Sequence, residues 1–311
     1  GRPAEPDGLT VSLNSLLSIA RSALMARQTQ LETTGHNIAN ASTEGYTRQR
    51  VRTVAESPLR TPLGQIGSGV RVSGIERARS VTLDANFRTE SGSLGKFQTM
   101  YEALSSVEGM MGEPSDTGLA ASLDAFWASW SDLAADPSGS ATRLMVRQRG
   151  SQVAAQMNDL ARRLSTTHGQ TIVSIESQLA AINSSAAQIV SLNAQIRAGE
   201  GGGRTAADLR DARDLERDKL AAIVPIRAIE QPNGNVSVYV GDALLADGAS
   251  SREMVLLKTS NGQFSAGFAD NSRPIELTGG NVGANLELLN THLPDLQNQF
   301  DTLATALVDG V

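Results

Sequence analysis

Apolar residues near the start of the chain recur at every seventh position. This repeat, called the N-terminal seam below, consists of Leu17, Leu24, Leu31 and Ile38. Apolar residues at that spacing form a narrow stripe along one side of an α-helix, as in coiled coils. Because one helix cannot bury its own stripe, the pattern predicts a helical rod over residues 11–45 whose seam needs a partner. Residues 1–10 hold two prolines and two glycines and are predicted to form a flexible N-terminus.

The rod is predicted to end in a polar turn that contains Gly45. The amides of Asn37 and Asn40 compete with the helical backbone for hydrogen bonds, and glycine readily takes the positive φ that a chain reversal needs. Residues 46–52 then alternate and carry arginine on one face, which predicts a half-exposed strand. The residue pattern alone predicts a C-capped helix followed by an edge strand, and it indicates no specific functional role for either. Residues 46–82 as a whole are predicted to be an extended linker with short strands.

The helical period returns after this linker and predicts a helical bundle over residues 83–223. Two of its stretches, 153–164 and 172–196, are predicted as separate helices. The second keeps a strict seven-residue seam on which only Asn193 is polar. A polar residue at one seam position more often fixes the register of packing than performs chemistry.

Residues 206–223 are predicted to form a short and highly charged helix at the end of the bundle. Its apolar residues are expected to point inward, and they are Leu209, Leu215, Leu220 and Ile223. The acids and arginines between them are expected to form ion pairs along an exposed helix face, each worth about 0.3–0.5 kcal/mol.

A change of pattern at Pro225 predicts a different kind of structure. Residues 224–283 carry β-branched alternation and the turn signals Asn233-Gly234 and Asn261-Gly262, which predict an antiparallel β domain. Apolar residues at alternating spacings of three and four then predict a helix over 284–311 that returns to the bundle, with Pro294 near its start or bending it. The expected fold class is therefore mainly α with a smaller β part, elongated and multi-domain, with the β domain inserted.

Composition narrows the classes of function. The 311 residues include no cysteine, so disulfides, thiolate metal sites and cysteine nucleophiles are excluded. The net charge is −6 with both signs interspersed, which favours neither a nucleic acid nor a membrane surface as partner. No motif for a cofactor, a metal or a catalytic nucleophile is present, so no cofactor and no enzymatic activity are expected.

Two motifs resemble a known protein family. The stretch NIANASTEGYTRQ, residues 37–49, resembles the N-terminal signature of the axial proteins of the bacterial flagellum, which are the rod, hook and hook-associated proteins. The GYTRQ version is most similar to the hook-associated members. The downstream stretch GSGVRVSGIER, residues 67–77, is similar to the segment that follows in those members, and residues 209–215 loosely resemble a charged pattern of the same family.

The resemblance implies a structural protein that forms the hook-filament junction by helical self-assembly between hook and filament. It implies as partners further copies of the chain, the flagellar hook protein, the next hook-associated protein and an export chaperone. It also implies export by the flagellar type III route to an extracellular position at that junction. A further C-terminal helix that pairs with the rod is part of the same expectation.

Particular residues match the family's turn motif and are expected to shape the turn between rod and body. They are Asn37, Asn40, Gly45, Tyr46 and Arg48. The N-terminal seam is expected to be the surface of assembly. Two alternatives stay open, namely another axial protein such as hook or distal rod protein, and an enzyme with coiled-coil spacers whose site lies in the β domain near Asp242 and Asp247.

Overall fold

The structure is a computed structural model and describes residues 7–61, 64–112, 115–201 and 205–310. The helices of these ranges are α1 (Asp7–Ala39), α2 (Val81–Met111), α3 (Leu119–Ala135), α4 (Ser140–Gly199), α5 (Ala207–Ile223), α6 (Gly280–Glu287) and α7 (Leu293–Asp309). The strands are β1 (Gln49–Ala55), β2 (Leu59–Thr61), β3 (Gly64–Ile66), β4 (Val70–Arg77), β5 (Ile226–Glu230), β6 (Val236–Val240), β7 (Ala243–Ala246), β8 (Met254–Lys258), β9 (Phe264–Phe268) and β10 (Pro274–Ile275). The mainly α fold class with a smaller antiparallel β part is confirmed.

The first helix is longer than the sequence pattern indicated. α1 begins at Asp7, so residues 7–10 are helical and the prediction of a flexible 1–10 is wrong for them. Extending an existing helix by one residue costs far less than starting a new one, so the helix can begin well before its first seam residue, Leu17. Residues 1–6 lie outside the described part of the chain.

The segment predicted as an extended linker with short strands contains β1 to β4, and these strands pair with one another. β1 pairs antiparallel with β4 from Gln49–Arg77 to Ala55–Val70, with a bulge between Arg52 and Thr53. The strands β2 and β3 form a second short pair between them. Pairing occurs because the backbone groups of two such strands satisfy each other, whereas an unpaired linker would leave them to water. The β1–β4 pair, called the ribbon below, packs on α1.

Close packing at Gly69 ties the ribbon to α1. The φ of Gly69 is 101°, and a Cβ atom built there would lie 2.4 Å from the Oγ of Ser22. On the same side of α1 the side chains of Ala26 and Thr33 are buried. The rod therefore has one face covered by the ribbon.

One helix of 60 residues, α4, forms the spine of the body. The two helices predicted at 153–164 and 172–196 are wrong as separate elements, because the polar residues between them include no proline and the helix runs through. Its buried side packs against α3, α5 and the β sheets. The centre of the core lies along it, where Ile175, Ile182 and Ile189 have no exposed surface.

The β domain consists of two three-stranded antiparallel sheets, ordered β5-β6-β7 and β10-β9-β8. The returning helix begins at Gly280, four residues before the predicted start at 284. A π-helical turn, Leu288–His292, then separates α6 from α7. Pro294 is the second residue of α7, just after this turn, where proline's missing N–H is tolerated because the first N–H groups of a helix have no partner within it. The prediction placed Pro294 near the start of the helix or at a bend, and it lies at the start of α7 within a continuous helical path.

Candidate functional site

The N-terminal seam is open to solvent along its whole length. The exposed fractions of its side chains are 65% for Leu17, 71% for Leu24, 75% for Leu31 and 72% for Ile38. These four side chains form one apolar stripe along α1 that the described residues leave exposed. The ribbon covers a different face of α1 and leaves the seam free.

Asn37 joins the end of α1 to the start of the ribbon. Its Nδ2 donates to the carbonyl oxygen of Gln49 at 2.9 Å, and its Oδ1 accepts from the Gln49 backbone N at 2.8 Å. The same Oδ1 accepts from the hydroxyl of Tyr46 at 2.8 Å. The amide thus pairs with Gln49 as a neighbouring strand would, and it fixes the direction in which the ribbon leaves the helix.

Asn40 and Gly45 shape the turn itself. The Nδ2 of Asn40 donates to the carbonyl oxygen of His36 at 3.0 Å, and its own carbonyl oxygen accepts from the N of Thr43 at 2.9 Å. Gly45 has a φ of 76°, and a Cβ atom there would lie 3.1 Å from the Cβ of Leu215 on α5. Glycine is therefore needed at this position both for its backbone conformation and for its lack of a side chain.

Two carboxylates of α5 hold the turn and the ribbon. Asp208 Oδ1 accepts from Gln49 Nε2 at 2.8 Å, and Asp211 Oδ2 accepts from the backbone N of Thr47 at 2.9 Å. Asp211 Oδ1 accepts from Arg77 Nη1 at 2.8 Å. Since Thr47 precedes β1 and Arg77 ends β4, Asp211 binds both strands to the body at the same end of the ribbon.

Arg48 is the one predicted turn residue whose side chain makes no hydrogen bond or ion pair in the turn, among the contacts of the described residues. Arg48 is exposed and joins the turn through its backbone, whose carbonyl oxygen accepts from the N of Ala78 at 2.8 Å. Sequence reasoning missed Gln49, Asp211 and Arg77 as positioning residues. Each of them lies inside one of the stretches that carried the family resemblance, which was the signal that could have identified them.

The charged helix α5 packs differently from the prediction. Asp211, Arg213 and Asp214 are buried, whereas Leu209 and Leu215 are only half-buried, so the expected exposed face of weak ion pairs is wrong. The ribbon and α2 bring arginines of their own against this face. Those arginines allow the carboxylates of α5 to be buried, because the carboxylates form ion pairs with them.

Asp214 lies at the centre of this buried network. Its Oδ2 accepts from Arg77 at 2.8 Å and its Oδ1 from Arg217 at 2.7 Å. Burial acts to raise the pKa of Asp214, but Arg217, Arg77 and Arg79 outweigh it and hold the pKa below its ordinary value. The carboxylate is therefore charged in the folded protein and links the ribbon to α5.

A second polar link joins α4 to the β domain. The fully buried Arg213 donates from Nη1 to Asn193 Oδ1 at 2.9 Å and to the carbonyl oxygen of Gly234 at 2.6 Å. Asn193 Nδ2 donates to the carbonyl oxygen of Val236 at 2.9 Å, and its Oδ1 accepts from the N of the same residue at 3.1 Å. Burial lowers the pKa of Arg213 to about 10. The polar residue of the α4 seam thus sets the position of a β sheet on the helix.

The β domain was the place considered for an enzyme site. Asp242 lines an open cleft of about 690 Å³ together with Arg252 and Arg273. Asp247 caps a turn, because its Oδ1 accepts from the N of Ala249 at 2.7 Å and of Ser250 at 2.8 Å. Those backbone donors lower the pKa of Asp247. Across the described ranges, no cluster of three or more His, Cys, Asp or Glu residues could hold a metal ion.

A family model for the helical domain of the flagellar hook-associated protein FlgK matches residues 104–311, two thirds of the chain. The chain belongs to the FlgK family. A model for the flagella basal body rod protein matches residues 17–47, the seam and the turn. The FlgK match begins near the end of α2 and includes α3 to α7 and the β domain, which favours a hook-associated protein over the hook or distal rod alternative.

Known FlgK relatives agree with this assignment. Flagellar hook-associated protein 1 of Bacillus subtilis is 35% identical over 243 residues, covering 73% of this chain and 48% of the relative. Flagellar hook-associated protein 1 of Salmonella typhimurium is 28% identical over 286 residues, covering 90% of this chain and 50% of the relative. The chain thus spans about half the length of the curated relatives that it matches.

A solved structure shares the fold. The flagellar hook junction protein FlgK from Burkholderia pseudomallei superposes with a TM-score of 0.57 at 22% identity, covering 67% of this chain and 38% of that protein. At this level of identity the likeness concerns the fold alone. Among the described helices, none is both long and apolar enough to cross a membrane.

Proposed function

We propose that this chain is a structural part of the hook-filament junction, where it joins hook and filament by helical self-assembly and performs no catalysis. The observation that carries the proposal is the exposed N-terminal seam on a helix whose other face is already occupied. Membership of the FlgK family supports it, as does the name hook junction protein of the structural relative. The partners would be further copies, the hook protein and the next hook-associated protein, after export with a chaperone by the type III route to the cell exterior.

The physical basis is burial of the seam between subunits. Each Å² of apolar surface removed from water contributes about 25 cal/mol, so four leucine-sized side chains stabilise one contact substantially. Repeating one heterologous contact between identical subunits produces a ring or a helical array. A rod that only became ordered on assembly would lose part of this free energy to conformational entropy.

The turn would give the assembly its geometry. Asn37, Asn40, Gly45 and Tyr46 hold α1 at one angle to the ribbon, and Asp211 holds the ribbon to the body. The subunit therefore presents its seam in a fixed direction relative to its outer domains. The exposed Arg48, in the same motif, is available to a neighbouring subunit.

Serine in place of Leu17, Leu24 and Leu31 tests the proposal. In cells that depend on this protein, we expect the triple variant to be exported and folded but to leave hooks without filaments and cells without motility. Export is checked by immunoblot of the culture medium, folding by circular dichroism, and filaments by electron microscopy. Serine at Val173, which is 64% exposed on α4 away from the seam, is the matched control and should have no effect. Normal filaments with the triple variant would contradict the proposal.

A further inference from the structure

Two asparagine-glycine pairs lie at hairpin turns of the β domain. Asn261-Gly262 is in the turn between β8 and β9, and Asn233-Gly234 is in the turn between β5 and β6. In such a pair the backbone N of the glycine can reach the side-chain amide of the asparagine, because glycine has no Cβ to obstruct the approach. Each pair is therefore a candidate for deamidation, the conversion of the asparagine amide to a carboxylate.

The two turns share one backbone form. The N of Gly262 donates to the carbonyl oxygen of Thr259 at 2.9 Å, and the N of Gly234 donates to the carbonyl oxygen of Gln231 at 2.9 Å. The φ angles of the two glycines are 85° and 80°. Both asparagines are exposed. Any difference in reactivity between the two pairs therefore comes from what surrounds each turn.

The body of the protein holds the Asn233-Gly234 turn. The carbonyl oxygen of Gly234 accepts from Nη1 of the fully buried Arg213 at 2.6 Å. Gly234 is buried as well, and a Cβ atom on it would lie 3.1 Å from Oε2 of Glu200. To bring its N onto the side chain of Asn233, the backbone has to rotate and leave the Arg213 guanidinium without this acceptor. Loss of a hydrogen bond to a charged group makes that rotation costly.

The Asn261-Gly262 turn lies at the surface. Gly262 is exposed, and among the described residues nothing lies within 4 Å of a Cβ atom built on it. The side-chain bonds of Asn261 stay within the hairpin. Its Oδ1 accepts from the hydroxyl of Thr259 and from the N of Gln263 at 3.3 Å, and its Nδ2 donates to Gln263 Oε1 at 2.9 Å. Because these bonds are at the surface, water can replace each of them at little cost.

We propose that Asn261 is a site of spontaneous deamidation in the folded protein and that Asn233 is protected from the same reaction. The backbone N of Gly262 loses its proton to hydroxide and attacks Cγ of Asn261, and the side-chain nitrogen leaves as ammonia. Water then opens the cyclic imide at one of its two carbonyl carbons. The products are aspartate and isoaspartate, and water is the only co-reactant consumed.

The modification changes the surface of the β domain. Either product adds one negative charge to the chain. Aspartate keeps the acceptor oxygen that Thr259 and Gln263 use, but it loses the donor to Gln263 Oε1. Isoaspartate in addition lengthens the backbone by one carbon atom where β8 meets β9. This chemistry is separate from the proposed role in the junction and stands or falls independently of it.

Peptide mapping of the full-length protein tests the proposal. The folded protein is incubated at mildly alkaline pH, and samples are digested and analysed by tandem mass spectrometry, which locates the mass change from amide to acid. We expect Asn261 to convert about ten- to hundredfold faster than Asn233, which is the cost of the charged hydrogen bond expressed as a rate. In protein unfolded by urea, the two sites should convert at similar rates, because their surroundings are gone.

Two results would overturn the inference. One is equal conversion of the two asparagines in the folded protein, or slower conversion of Asn261. The other is conversion of Asn261 only after unfolding, because the hairpin itself would then be protective. Neither result bears on the proposed function, which the filament assay tests.

Arg213→Gln tests the cause of the selectivity. The variant lacks the guanidinium that binds the Gly234 carbonyl, so Asn233 should convert faster, whereas Asn261 is the reference in the same molecule and should keep its rate. Circular dichroism identifies a temperature at which both proteins are folded. A folded variant in which Asn233 stays protected would overturn the role given to Arg213. If the variant does not fold, the comparison of folded and unfolded parent protein still decides the proposal.

Discussion

The Nη1 atom of Arg77 lies 2.8 Å from the Oδ1 atom of Asp211, whose other oxygen accepts from the backbone of Thr47. We expect Asp211→Ala to lower the free energy of unfolding by about 2–4 kcal/mol, because it removes one partner of the part-buried guanidinium of Arg77 and the acceptor of the part-buried N–H of Thr47. Chemical denaturation measures the loss. Hydrogen exchange should rise first at the start of β1 and the end of β4, since Asp211 holds both strands at that end of the ribbon.

Arg52 provides the control for this substitution. It forms an ion pair of 2.8 Å with Glu76 in the same ribbon, but both side chains are more than half exposed. Arg52→Ala should change the free energy of unfolding by less than about 1 kcal/mol. Equal effects of Arg52→Ala and Asp211→Ala would mean that burial of the ion pair is not what holds the ribbon.

Gly45→Ala should destabilise the turn. The positive φ alone costs a side chain about 1–2 kcal/mol, and the new methyl group would press on Leu215. Thermal unfolding followed by circular dichroism measures the change. Gly35→Ala, inside α1 with nothing within 4 Å of the new Cβ, should instead stabilise the protein by about 0.5–1 kcal/mol. A neutral Gly45→Ala would show that the turn relaxes freely.

Asn193→Leu should be strongly destabilising although it makes the α4 seam uniformly apolar. It removes one of the acceptors of Arg213 and leaves the buried N–H and carbonyl oxygen of Val236 without their partners on Asn193, so a loss of about 3 kcal/mol or more is expected. Gln188→Ala, exposed on the same helix, should be nearly neutral. A stabilising Asn193→Leu would mean that α4 can pack on β6 without this polar link.

The ion pair of Glu200 predicts how stability depends on pH. Arg210 binds both carboxylate oxygens, at 2.6 and 2.8 Å, and this pairing lowers the pKa of Glu200 below its ordinary value of 4.5. The folded state therefore binds this proton less readily than the unfolded chain does. The stabilisation from Glu200 is fully present above the ordinary pKa and is lost as the pH falls through the lowered one.

Glu200→Gln should flatten that dependence. Denaturation at pH 7 and at pH values stepping down through the ordinary carboxyl range would show a smaller loss of stability in the variant than in the parent protein. Asp301→Asn, exposed on α7, should leave the acid slope unchanged. A variant with the slope of the parent would rule Glu200 out as a source of acid sensitivity.

The sequence predicted the parts of this fold that depend on local periodicity. The rod, the bundle and the inserted β domain follow from apolar spacing, and the turn follows from Asn37 and Gly45, because helix termini are decided by nearby residues. The continuity of α4 could not be predicted, because the apolar spacing at 153–164 and 172–196 does not show whether the polar residues between them are helical.

Burial of the charged helix could not be predicted from its own residues. Seen alone, residues 206–223 have the pattern of a solvated helix with local ion pairs. Only the fold brings Arg77 and Arg88 from distant segments against Asp214 and Asp218, and those long-range contacts reverse which face is inside. Pairing of the ribbon strands was missed for the same reason, because the sequence of one strand does not identify the strand with which it pairs.

The unbroken spine has a mechanical consequence. With a rise of about 1.5 Å per residue, the 60 residues of α4 extend for about 90 Å without a loop at which they could bend easily. A force applied to α4 where it packs on α3 would therefore move the helix as a unit and reach the β sheets that pack near its other end. In the proposed junction, such a subunit would transmit force along its length and would bend less than the contacts between neighbouring subunits.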